Sequence, residues 1–263
     1  MATILDELAA AARARVAARR AKRPEEELAA AAHALPATGA FPFEAALSGP
    51  GVSFICECKK ASPSKGLIVP DFPYVDIARA YEDAGAAAVS VLTEPTRFLG
   101  SDDYLRDIAA AVDIPCLRKD FTVDAYMIYE AKLLGASAVL LIASLLSADE
   151  VARGIELCDE LGMSALVEAH DEAEVRTALA ADARVVGVNN RNLKDFTVDV
   201  GTAERLRALV PADVLFVAES GMRTAADVAR MREAGVDAVL VGEALMRAVD
   251  KRAALDELRG ELR

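Results

Sequence analysis

Eight short apolar runs recur along this chain, and each leads through a loop into an alanine-rich helical stretch. They cover residues 52–58, 88–92, 115–118, 138–142, 164–167, 185–188, 215–218 and 238–241. Their ends lie roughly 20–35 residues apart, the length of a strand plus its crossover helix. Gly85, Gly135, Gly162 and Gly235 close four of the helical runs, where a helix C-cap is expected. Near-continuous apolar strands that alternate with helices imply a parallel sheet covered on its outside. Eight such units close a (β/α)8 TIM barrel of the α/β class. A doubly wound open sheet would want a G-x-G-x-x-G turn after its first strand, and the sequence has none.

At 263 residues the chain suits a single domain overall, with an N-terminal helical extension over 1–50 and the barrel over 51–263. Periodicity predicts an amphipathic helix over 4–23, with Ile4, Leu5, Leu8, Ala12 and Val16 on one side. Its basic residues (Arg13, Arg15, Arg19, Arg20, Lys22 and Arg23) read as a solvated face near a helix C-terminus rather than a docking patch. A second helix follows from Pro24 and Glu25 to about Ala32, and a helical turn spans 43–47.

In such a barrel chemistry belongs at the carboxyl ends of the strands, and the polar residues fall there. The first strand ends in FICECKK. Strand alternation puts Ile55, Glu57 and Lys59 on one face and Phe54, Cys56 and Cys58 on the other. The SPSKG that follows reads as an irregular loop, broken by Pro63 and Gly66. Later strand ends bring Glu94, then Lys119 in phase with Leu117 while Arg118 faces away, then Glu168. The last three bring Asn189, Asn190 and Arg191; Glu219, Ser220 and Gly221; and Gly242 and Glu243. The amino ends carry little charge. Glycines after the last two strands let backbone amides approach an anion, and a short helix N-terminus adds to this the usual phosphate position of such barrels.

The net charge of −12 argues against non-specific binding to nucleic acid or anionic lipid, so an anionic substrate needs a local positive site. No apolar stretch approaches the ~18–20 residues that cross a bilayer, and the N-terminus lacks a signal-peptide pattern, which together predict a soluble, cytoplasmic protein. The four cysteines make no metal spacing and read as reduced core residues. With only His33 and His170, a multi-histidine metal site is excluded. His170 reads as a satisfied loop histidine.

The segments FICECKKASPSKG, SVLTEPTRFLGS, IPCLRKDFTVD, LVEAH, GVNNRNLKDF, VAESGM and VLVGEALM occur in the order of one family. Through nearly its whole length the chain resembles the indole-3-glycerol-phosphate synthases, the ring-closing enzymes of tryptophan biosynthesis. The resemblance implies catalytic roles for Glu57, Lys59, Lys119, Glu168, Asn189 and Ser220. It implies substrate contacts at Ser62, Arg191, Glu219, Gly221, Gly242 and Glu243, with Phe98 and Phe121 beside the aromatic ring. It also implies a phosphorylated small-molecule substrate and no metal or organic cofactor. The chain has no Trp, so any contact from the N-terminal helix to that ring must come from another side chain.

The expected chemistry has Lys119 protonate the ketone while the ring carbon bearing the carboxylate attacks. Loss of CO2 follows, then loss of water with Lys59 or Lys119 as acid and Glu168 as base. Two other readings remain open on sequence: a related phosphate barrel such as phosphoribosylanthranilate isomerase, and a catalytically silent barrel used for binding. Oligomeric state is equally open, from a monomer to association with other tryptophan-pathway enzymes.

Overall fold

The computed structural model describes residues 3–37, 39–192 and 195–261; Leu193 and Lys194 of the GVNNRNLKDF segment lie outside them. Strand β1 (Ser53–Cys58) is followed by two short strands, β2 (Ala61–Ser62) and β3 (Gly66–Leu67). Then come β4 (Ala88–Leu92), β5 (Cys116–Lys119), β6 (Ala138–Ile142), β7 (Ser164–Ala169), β8 (Val185–Asn189), β9 (Leu215–Glu219) and β10 (Ala238–Val241). Strands β4 to β10 pair in sequence, all parallel, and β1 closes the ring between β10 and β4. The (β/α)8 barrel expected from the eight runs is present, with strand bounds shifted by at most two residues.

The pleat divides the apolar residues into two cores. Ile55, Leu117, Leu140, Leu166, Val217 and Leu240 fill the barrel interior. Phe54, Cys56, Cys58, Val139 and Phe216 face the surrounding helices. All four cysteines are buried and free. Arg118 points outward as its phase requires, and it is fully buried. Its guanidinium is satisfied there, with Nη1 donating to the Met127 carbonyl at 2.8 Å and Nη2 to Asp102 at 2.9 Å.

Helix α1 (Ile4–Arg20) starts in a capping box between Thr3 and Asp6 and stops three residues short of the sequence expectation. It buries Leu8, Ala12 and Val16. Its basic face is largely not solvated. Arg15 pairs with Asp120 at 2.7 Å, Arg19 with Asp102 at 2.6 Å and Glu130 at 2.8 Å, and Arg20 with Asp124 at 2.7 Å. Arg13 and Lys22 alone of that group are exposed. The acidic partners lie about a hundred residues downstream, so a local reading of charge could not find them.

Helices α2 (Glu25–His33) and α3 (Pro42–Leu47) complete the extension. The latter seats Phe43 and Leu47 under the barrel at its amino end. A charged group accompanies them: Glu44 takes hydrogen bonds from Arg184 and from Ser164 Oγ, so the helix brings charge to an end whose strands carry little of it. The SPSKG segment is also more regular than expected. Strands β2 and β3 pair antiparallel as Ala61↔Leu67 and Ser62↔Gly66, with Gly66 at a φ of 64° that favours glycine. Pro63 occupies the turn of this hairpin and needs no ladder hydrogen bond there. No helix among the described residues is long and apolar enough to cross a membrane.

Candidate active site

At the carboxyl ends of the barrel strands lies a cavity of about 500 Å3. Five strand ends supply the polar and charged side chains of its floor. Strand β1 delivers Glu57 and, one residue past its end, Lys59; β5 delivers Lys119, β7 Glu168, β8 Asn189 and β9 Glu219. The three glutamates are almost wholly buried, at 4%, 2% and 2% exposure in chain order. Such burial is costly unless the charges are matched, and here two ammonium groups stand among the three carboxylates.

Lys119 Nζ stands 2.8 Å from Glu168 Oε2 and 3.0 Å from Glu219 Oε2. Lys59 Nζ hydrogen-bonds Glu57. Burial alone would lower the Lys119 pKa, but Glu168, Glu219 and Glu57 outweigh it and hold the ammonium protonated well above its ordinary range. Burial would likewise raise Glu168, yet Lys119 and then His170 keep it ionised well below the usual carboxylate range. Glu219 goes the other way. Burial exceeds the pull of Lys119, and Glu168 adds repulsion, so its pKa rises to about 7. Two carboxylates beside one ammonium are thereby driven apart in acidity, the pattern expected of an acid–base site. Glu219 Oε1 is buried and, among the described residues, has no hydrogen-bond partner.

The remaining wall is built from loops. Asn189 donates to Glu168 Oε1 at 3.3 Å, and its Oδ1 accepts from the Arg191 amide at 3.0 Å. Arg191 is anchored through Nη1 on the Phe196 carbonyl at 3.3 Å. The Phe98 and Phe121 rings stand 6.1 Å apart between centroids, tilted by 42°, on one side of the cavity. On the opposite side Ser220 and Gly221 turn with consecutive φ of 64° and 92°. A Cβ at Gly221 would approach Val200 Cγ1 to 2.7 Å, so only glycine fits that turn. Gly242 lies against Glu57 and Lys59 and opens the helical turn Glu243–Arg247. Ser62 and Lys65 reach in from the β2–β3 hairpin, where Lys65 pairs with Glu243 at 3.7 Å.

Every residue singled out from the sequence for catalysis or substrate contact lines this cavity. Glu94 and Asn190 do not. Glu94 turns into its own loop, and Asn190 holds the Ser220 carbonyl and the Ala203 amide. Sequence reasoning missed Ile4, Leu5 and Leu8, the aliphatic side chains that α1 contributes where a Trp is lacking. It also missed Arg223 and Arg247 at the glycine-rich end; their spacing from Gly221 and Glu243 was the available signal.

His170 is more than a satisfied loop histidine. Its Nδ1 lies 3.0 Å from Glu174, and its Nε2 lies 3.4 Å from Glu168 Oε1. Burial works against its charge, but Glu168 and Glu174 raise its pKa to about 10. No cysteine lines the cavity, and burial pushes the Cys56 and Cys116 thiols up to about 12. Among the described residues no cluster of His, Cys, Asp and Glu is arranged to hold a metal ion.

The family model described as indole-3-glycerol phosphate synthase matches residues 5–258. Among curated proteins, the indole-3-glycerol phosphate synthase of Ruminiclostridium cellulolyticum is 54% identical over 98% of this chain and 99% of its own length. That of Leuconostoc mesenteroides is 49% identical over 98% and 99%. Among solved structures a 3-hexulose-6-phosphate synthase superposes with a TM-score of 0.63 at 15% identity, covering 81% of this chain and all of its own. That likeness bears on the fold alone.

Proposed function

Because the chain belongs to the indole-3-glycerol phosphate synthase family, we propose that the lysine–glutamate cluster at the barrel mouth carries out that family's reaction. The protein is a carboxy-lyase of tryptophan biosynthesis. It converts 1-(2-carboxyphenylamino)-1-deoxyribulose 5-phosphate to indole-3-glycerol phosphate with loss of CO2 and water. The observation that supports the assignment of roles is the Lys119 ammonium, held between Glu168 and Glu219 at the floor of an open cavity.

The substrate is an anion, and the chain is acidic, so binding depends on the local cations. Lys59, kept in place by Glu57, and the anchored Arg191 face the substrate's oxyanions. The turns at Ser220–Gly221 and Gly242–Glu243, with Ser62 above them, take the phosphate. Glu243 holds Lys65 of the hairpin over that end. The anthranilate ring lies against Phe98 and Phe121, with Ile4, Leu5 and Leu8 covering it. In this reading the N-terminal extension and the barrel build one site together, in a cytoplasmic enzyme.

Ring closure forms a bond from the ring carbon bearing the carboxylate to the ketone carbon, and the carbonyl electron pair moves onto oxygen. Lys119 stabilises that oxyanion and protonates it. An alkoxide is more basic than a lysine amine, so even an ammonium of raised pKa delivers the proton. The C–CO2 bond then breaks, and its electron pair restores the aromatic ring. The hydroxyl just formed remains beside Lys119, which regains a proton from solvent and gives it to that hydroxyl as it leaves as water. Glu168, 2.8 Å from that ammonium and held ionised, takes the proton from the neighbouring carbon bonded to nitrogen, and that C–H pair forms the indole double bond. Asn189 keeps Glu168 in place.

Indole fluorescence on adding the substrate tests this reading. The protein has no Trp, so its own background in that window is low. Wild-type protein should give a rising signal, and folded Lys119→Ala should lose it by ~10²–10⁴-fold. A near-normal rate in Lys119→Ala would remove that lysine from the mechanism.

A further inference from the structure

One buried carboxylate near the mouth has no cation and touches no part of the cavity. Glu94 is 1% exposed, and among the described residues no Lys, Arg or His pairs with it. Its partners are the loop that follows it. Oε1 accepts from the Thr96 amide at 2.8 Å and the Thr96 hydroxyl at 2.5 Å. Oε2 accepts from the amides of Arg97 at 2.7 Å and Phe98 at 3.0 Å. The Glu94 carbonyl takes the Gly100 amide at 2.8 Å, which closes the loop on itself. Four donors converge on one carboxylate, so both of its buried oxygens are satisfied by the loop itself.

The loop wrapped around this carboxylate carries Phe98, whose ring forms the cavity wall beside Phe121. The next residue, Leu99, sits at φ 52°, a left-handed conformation that a leucine holds only where its surroundings impose it. Gly100 then packs against the backbone of residues 92–94 so closely that a Cβ would overlap it. The Phe98 carbonyl in turn accepts from the Ala61 amide at 3.2 Å, tying the loop to the hairpin that carries Ser62 and Lys65. A mere chain reversal needs one or two of these bonds. This loop has every inward amide from 96 to 98 fixed on a single side chain, and the side chain it aims at the cavity is Phe98.

We infer that Glu94 is a positioning residue for the substrate's aromatic ring, acting through Phe98. The inference rests on the proposal that Phe98 borders the anthranilate ring. Its test is a double-mutant cycle on kcat and KM with Glu94→Gln, Phe98→Ala and the double variant. Glutamine keeps the shape but turns an NH2 group toward amide donors. Glu94→Gln should raise KM by about 10-fold with a smaller fall in kcat, since a displaced wall costs binding and alignment. Phe98→Ala should do the same, and the double variant should be no worse than the poorer single one. Multiplying effects, or an unchanged KM in folded Glu94→Gln beside a raised one in Phe98→Ala, would overturn the role of Glu94. An unchanged KM in Phe98→Ala would instead overturn the aromatic wall, and the inference with it. Should Glu94→Gln not fold, Thr96→Val removes one of the four donors. It should raise KM about 2–5-fold, again not additively with Phe98→Ala, and full additivity there would equally overturn the inference.

Discussion

The two ends of the barrel hold the same electrostatic arrangement and put it to different use. At the amino end the Arg184 guanidinium lies between Glu44, at 3.0 Å, and Asp159, at 2.7 Å. At the carboxyl end the Lys119 ammonium lies between Glu168 and Glu219 at 2.8 and 3.0 Å. Each is one cation shared by two carboxylates. At the base, however, the guanidinium fork meets both partners twice, Ser164 adds a further donor to Glu44, and Phe43 and Leu47 of α3 close the bottom. At the mouth a three-donor ammonium faces an open cavity, and one oxygen of Glu219 has no partner among the described residues. A cation shared by two carboxylates therefore does not by itself mark an active site. Unfilled hydrogen-bonding capacity beside space for a ligand does.

The largest effect expected from breaking this contrast is on the proposed base. Glu168→Gln should leave the barrel folded and cut kcat by ~10²–10⁴-fold, measured as indole formed at saturating substrate. A variant within threefold of wild type would transfer the base to another group.

A smaller effect sharpens the comparison through pH. His170 is raised from an ordinary value near 6.5 to about 10 by Glu168 and Glu174. A raised folded-state pKa adds stability that is complete below about pH 6.5 and is lost as pH climbs toward 10. The melting temperature of His170→Asn should accordingly trail wild type most near pH 6, with the gap narrowing by pH 10. Ionised Glu168 contributes in the opposite direction, since its stabilisation is lost as pH falls below the ordinary carboxylate range. A gap that stays constant from pH 6 to 10 would mean that His170 carries no linked charge.

How much of this was legible beforehand follows from the range of each interaction. Parallel barrel strands are apolar on both faces, so runs such as 138–142 and 238–241 could be bounded to the residue. Strand alternation was enough to send Lys119 inward and Arg118 outward. The pairing of Arg15 with Asp120 spans 105 residues and left no local trace, which is why the basic face of α1 read as solvated. Glu94 looked like a mouth residue because it closely follows an apolar run, yet the strand ends at Leu92 and the side chain turns into the loop beyond it. The aliphatic lid from α1 was visible as an apolar stripe, but which surface it would cover was not. The hairpin was hidden because proline and glycine mark a turn equally well with or without paired flanks.

The division of labour between the two ends is tested most directly by kcat/KM of Arg184→Met, measured well below its melting temperature. The variant breaks the base cluster and should lose about 1–3 kcal/mol of stability, lowering its melting point by several degrees. Its kcat/KM should remain within twofold of wild type. A tenfold loss in protein that is still folded would show the base and the mouth to be one coupled system, and would contradict the account.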